Sequence, residues 1–199
     1  MEMMKHIYRE TPSQTAGPYV HIGCTPNFCG IEGVYAEDLG AKMLCEDTRG
    51  ERITVRGIVF DGTGAPVKDA LVEIWQADAS GIYDGNEGND PAFCGFGRCP
   101  ADPDTGEFLF KTIKPGPTNF TDGRKQAPHI TFWIVARGIN IGLHTRMYFE
   151  DEDNSHDPVL GRIELFERVK TLIGRKTGEH EYTFDIHLQG DGETVFFDI

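Results

Sequence analysis

Between Glu181 and Leu188 the apolar residues Tyr182, Phe184, Ile186 and Leu188 alternate without exception with Glu181, Thr183, Asp185 and His187. A period of two is what a strand with one buried face requires, because successive side chains point to opposite sides of a sheet. The same period recurs upstream. Ile53, Val55 and Val59 alternate with more polar neighbours from Arg52 onward, and Asp61-Gly62-Thr63-Gly64-Ala65-Pro66 then supplies turn chemistry. Leu71 to Trp75, Glu107 to Ile113, Pro128 to Arg137 and His144 to Phe149 read as further strands, and Thr194 to Ile199 as a terminal one. The stretch from Ala79 to Thr105 is rich in glycine, has little periodicity, and is long enough for a functional loop. One short helix is expected between Val159 and Ile173, where Ile163, Phe166, Val169 and Ile173 fit a helical stripe of about three turns. Short strands separated by turns predict an all-β chain, an antiparallel sandwich or barrel with long loops, rather than a βαβ fold. Residues 1–50 lack the period and read as an N-terminal arm or interface segment, with the sandwich domain over 51–199.

Charge removes one class of partner. Nineteen Lys and Arg against thirty-two Asp and Glu leave a net charge of −13, which repels a polyphosphate, and no basic block offsets it, so no nucleic-acid partner is expected. The longest wholly apolar run, Phe132 to Ala136, is far short of the roughly 20 residues that cross a membrane, and a cytoplasmic protein without a membrane partner is expected. Five cysteines in a chain of 199 residues read as reduced thiols. The pairs Cys24/Cys29 and Cys94/Cys99 sit at the edge of zinc spacing without a tight C-x2-C knuckle. The acidic run Glu150 to Asp153 lacks the spaced ligands and central glycine of a calcium loop and reads as a solvated turn.

Chemistry concentrates on the strand opened by Pro128. Its alternate residues His129, Thr131, Trp133, Val135 and Arg137 should share one face. A lone histidine there has an ordinary structural reading, hydrogen-bonded within the fold. Arg137, at the strand's end before Gly138, offers a planar fork suited to a carboxylate. There is no G-x-S-x-G elbow, no P-loop and no dinucleotide fingerprint.

Three segments carry a resemblance: Trp75 to Tyr83 (W-Q-A-D-A-S-G-I-Y), Phe110 to Gly116 (F-K-T-I-K-P-G) and Pro128-His129-Ile130. They are similar to the intradiol ring-cleaving dioxygenases. Thr11 to Tyr19, Ala136 to Asn140 and Gly192 to Asp198 narrow the resemblance to the alpha chains of the family's two-chain, protocatechuate-cleaving members. The resemblance implies a β-sandwich, an alpha–beta hetero-oligomer, and cleavage of protocatechuate by O2 to 3-carboxy-cis,cis-muconate. It also implies a non-haem Fe(III) held by two tyrosinates and two histidines. Tyr83 and His129 stand at two of those places, but Thr118 stands where the second Tyr would be and Thr131 where the second His would be. Gln126 occupies the place of a supporting Arg. A trivalent ion needs anionic donors that a threonine hydroxyl does not supply. The expectation is therefore a degenerate site at Tyr83, Thr118, His129 and Thr131, with no metal and no catalytic residue in this chain alone. Fe(III) would be held by the partner beta subunit, and Thr15, Gly17, Pro18 and Arg137 would line that subunit's substrate entrance. A self-sufficient homomeric dioxygenase and a non-catalytic β-sandwich binding module are the rival readings.

Overall fold

The computed structural model describes residues 12–198. Thr11, the first residue of one motif, Met1 to Glu10 in the arm, and Ile199 at the end of the expected terminal strand lie outside the described residues. In chain order the regular elements are α1 (Pro18–Cys24), β1 (Arg52–Phe60), β2 (Leu71–Trp75), β3 (Phe96–Pro100), β4 (Glu107–Ile113), β5 (Thr118–Asn119), β6 (Lys125–Gln126), β7 (His129–Val135), β8 (Leu143–Phe149), β9 (Ile173–Gly178), β10 (Glu181–Thr183) and β11 (Ile186–His187). Two 3-10 segments, Leu160–Arg162 and Phe166–Leu172, precede β9.

The strands make a two-layer sandwich. One layer runs from β4 through β1 to β10, and the other from β3 through β2 and β7 to β8. β9 joins the layers, pairing with β8 at Ile173 and Gly174 and with β10 from Arg175 onward. The inward set of β1 (Ile53, Val55, Val59) meets that of β7 (Ile130, Phe132, Ile134) in one buried cluster. Phe132 of β7 lies 5.9 Å from Phe108 and 6.4 Å from Phe110 of β4, and 5.2 Å from Phe184, ring to ring. Strands so far apart in the hydrogen-bonding order touch only because the layers face each other. Each such aromatic ring hidden from water stabilises the fold by about 2–3 kcal/mol.

The sheet is mixed where a purely antiparallel one was expected. β10 and β11 run parallel to β1, and β9 runs parallel to β8. The expected strand Glu181 to Leu188 is split in two. At the split the Asp185 carboxylate takes the Ile58 N–H at 3.1 Å, a bond the ladder would otherwise make through backbone. Gly57 faces the split so closely that a Cβ there would sit 1.9 Å from the Phe184 carbonyl oxygen.

Three further expectations need correction. The segment Val159 to Ile173 forms no α-helix; Gly161 and the Ser-less, cap-less starts of its turns leave two 3-10 pieces, and Ile173 already begins β9. The loop 79–105 contains β3, whose Gly97 packs against Ile74 and Phe110 where no side chain could signal the strand by periodicity. Thr194 to Asp198 forms only an isolated bridge, His144 to Phe197. Among the described residues the one α-helix is α1, in the segment expected to be an arm. It has seven residues with Pro18 in its first turn, where the missing N–H costs nothing, and is too short for a hydrophobic stripe to announce it. Arg98 of β3 fastens this part of the arm. Its guanidinium pairs with Glu73 at 2.6 Å and donates to the Cys24 carbonyl at 3.3 Å. No helix among the described residues is long and apolar enough to cross a membrane.

Candidate functional site

The outward face of β7 carries His129, Thr131, Trp133 and Val135, as its alternation predicts, and two separate arrangements lie at its two ends, roughly 20 Å apart along the strand.

The first is built at the His129 end. The W-Q-A-D-A-S-G turn that follows β2 is held from inside. The Asp78 carboxylate, 3% exposed, accepts the backbone N–H groups of Ser80, Ile82 and Asp90 at 2.8–3.0 Å. Gln76, fully buried, donates to the Ile113 carbonyl at 2.9 Å and accepts from the Thr112 hydroxyl at 2.8 Å, tying the end of β2 to the end of β4. Gly81 (φ +79°) then lets the chain pass against Pro117, where a Cβ would lie 2.0 Å from the carbonyl oxygen. This geometry presents Tyr83 to His129 with its ring stacked on Trp75 at 6.2 Å.

His129 is 1% exposed. Its Nδ1 donates to the Ala127 carbonyl at 2.8 Å, which leaves Nε2 to accept from the Tyr83 hydroxyl at 3.4 Å. Burial pushes the imidazole pKa down to about 4, and the Arg146 guanidinium pushes in the same direction. Burial raises the Tyr83 phenol above its ordinary value, with Arg146 and the Thr118 hydroxyl opposing the rise. Thr118, also buried, accepts from Gln126 Nε2 at 3.0 Å, and Gln126 Oε1 accepts from Arg146 at 2.8 Å. Thr131 stands directly across the strand pair from Arg146. The four positions expected to be degenerate are thus brought into one locality, and Arg146 joins them.

This donor set does not fit ferric iron. It offers a phenol held in its protonated form, a single imidazole, and two neutral threonine hydroxyls. A guanidinium already bonded into the same locality adds a positive charge where a trivalent cation would need anions. Among the described residues, no group of three or more His, Cys, Asp or Glu is arranged to hold a metal ion. Arg146 went unrecognised in the sequence. The signal existed in its outward register with His144 on β8, but it needs the β7–β8 pairing before it points at Thr131.

The second arrangement lies beyond the other end of β7. The Thr15 hydroxyl donates to the Ala136 carbonyl at 3.3 Å and accepts from Gly138 N–H at 2.8 Å, clipping the arm to the turn that carries Arg137. Gly17 caps α1 at its N-terminus and Pro18 begins it. A cavity of about 600 Å³ opens here, lined by Gly17, His21, Phe28, Asp69, Val135 and Arg137 among others. His21 Nε2 lies 3.1 Å from the Asp69 carbonyl oxygen. Arg137 pairs through Nε with Asp69 at 2.7 Å, yet its side chain stays 78% exposed. Of the residues expected at a substrate entrance, Thr15, Gly17 and Arg137 are brought together and the backbone of Pro18 follows them.

Comparisons with known proteins agree along almost the whole chain. The family described as Dioxygenase matches residues 25–190. The protocatechuate 3,4-dioxygenase alpha chain of Pseudomonas putida is 46% identical over 194 residues, covering 95% of this chain and 96% of that one. The protocatechuate 3,4-dioxygenase beta chain of Burkholderia cepacia is 36% identical over 159 residues, covering 73% of this chain and 67% of the other. Among solved structures, 3-chlorocatechol 1,2-dioxygenase from Rhodococcus opacus 1CP superposes with a TM-score of 0.57 at 24% identity, over 75% of this chain and 65% of that one, a likeness of fold.

Proposed function

The chain belongs to the dioxygenase family, and on that premise we propose that it completes the substrate pocket of an iron-bearing beta chain rather than housing the reaction itself. It is an alpha-type subunit, paired with a protocatechuate 3,4-dioxygenase beta subunit in a hetero-oligomer. The reaction of that assembly is the opening of protocatechuate by O2 between its two hydroxylated ring carbons, to 3-carboxy-cis,cis-muconate. The Fe(III) that supports it belongs, in this reading, to the beta subunit.

This chain's own part is recognition. Protocatechuate carries a carboxylate, and a chain of net charge −13 repels it at long range. Within a Debye length of roughly 10 Å a local cation outweighs that field. Arg137 supplies it. The ion pair with Asp69 fixes the arm of the guanidinium through Nε and directs the remaining N–H groups outward. Gly17, with no side chain, and Pro18 let backbone approach the ring, and Thr15 holds that backbone against the Arg137 turn. The single observation that carries the reading is this clip: residues more than 120 positions apart in sequence form one wall around an outward-facing guanidinium.

The test is Arg137→Ala in the assembled complex. Loss of a charge-assisted hydrogen bond to the substrate's carboxylate predicts a KM for protocatechuate about ten- to a hundredfold higher with kcat little changed. An unchanged KM removes Arg137 from the pocket.

A further inference from the structure

A cavity of about 520 Å³ opens beside the degenerate positions, with Thr131 and Arg146 in its lining. Its volume is in the range that holds a small aromatic molecule. Phe120 and Phe197 are parts of its wall, and guanidinium groups lie against both rings, Arg124 as well as Arg162 over Phe120. Arg162 lies 4.9 Å from the Phe120 centroid and Arg146 lies 5.9 Å from that of Phe197. Among the described residues neither makes an ion pair with a carboxylate, and the hydrogen-bond acceptor of Arg146 is the neutral amide of Gln126. The third arginine of the lining, Arg168, is different, since Glu193 takes its Nη2 at 3.1 Å.

We propose that this cavity binds an aromatic monocarboxylate, its carboxylate set between Arg146 and Arg162 and its ring against Phe120 and Phe197. Guanidinium forks match a carboxylate in two-point geometry, and the aromatic walls supply apolar contact. Glu164 and Asp198 also line the cavity. Their charge disfavours a phosphate-like dianion and favours a singly charged ligand that gains the rest of its affinity from apolar contact. Leu165, 55% exposed beside the opening, adds to that contact. This assignment uses none of the residues of the Arg137 end, so the two proposals fail separately.

The probe is 4-bromobenzoate, with the assembled alpha–beta protein. Crystals soaked with it should show an anomalous bromine peak inside the cavity, on the far side of the ligand's ring from Arg146 and Arg162. In solution, titration calorimetry should resolve a class of sites that Arg162→Gln weakens about tenfold or more and that Arg146→Met abolishes. The visible absorption of the beta subunit's iron and the KM for protocatechuate should be unchanged in both variants. Arg162 is exposed, so its substitution leaves the fold intact even if Arg146→Met does not fold. No bromine in the cavity, a segment of the beta subunit filling it, or equal affinity in wild type and Arg162→Gln would each overturn the proposal.

Discussion

At one end of β7 His129 is 1% exposed and both of its ring nitrogens are satisfied from within the chain; just past the other end Arg137 holds a side chain 78% exposed. Both residues are of the type that binds ligands, and they differ in what surrounds them. Around His129 the polar groups bond to one another. Tyr83 donates to the imidazole, Gln126 donates to Thr118, and Arg146 donates to Gln126. Around Arg137, among the described residues, one carboxylate is engaged, that of Asp69. Buried polar groups without partners cost about 1–3 kcal/mol each, and at the His129 end the polar groups close into a hydrogen-bonded network. The Arg137 end is left open, with its guanidinium exposed.

The largest expected effect separates the ends by backbone. Gly81→Ala at the closed end forces a left-handed φ and a collision with the Pro117 carbonyl oxygen, so a loss above about 4 kcal/mol, or no soluble protein, is expected in thermal unfolding. Gly17→Ala at the open end meets nothing within 4 Å and should stay within about 0.5 kcal/mol of wild type. Equal tolerance at both positions would erase the distinction.

A smaller effect comes from His129. Its folded pKa of about 4 lies below the unfolded value near 6.5, so the unfolded chain takes the proton first as pH falls. The stabilisation is complete above pH 6.5 and is lost between pH 6.5 and 4, amounting to about 3 kcal/mol. Urea midpoints measured across that window should fall less steeply in His129→Gln than in wild type. Parallel curves would mean that the imidazole is not held neutral by the closed network.

The smallest effect is at the arm. Thr15→Val removes a hydroxyl that clips residues 12–17 to the Arg137 turn, and a net hydrogen bond of about 1 kcal/mol predicts a KM only about two- to tenfold higher, with stability lowered by no more than about 1 kcal/mol. Unchanged KM would show that Arg137 is positioned without the arm.

Much of the fold was legible because alternation is a local property. β1, β2, β4, β7 and β8 lie within a residue or two of where the pattern put them. What escaped was set by contacts between distant residues. β3 shows no alternation because Gly97 fits against Met43, Ile74 and Phe110. The 3-10 segments kept a helical spacing of apolar residues without the length to become a helix. At the site, Tyr83, Thr118, His129 and Thr131 could be named from motif order. Arg146 could not, since its place beside them depends on a cross-strand register that no single segment encodes.

The most direct test is metal analysis of the full-length chain expressed without the beta subunit and exposed to ferrous iron and air. The account predicts colourless protein with iron far below one atom per chain and no consumption of O2 with protocatechuate. One iron per chain with visible absorption and unaided ring opening would contradict it.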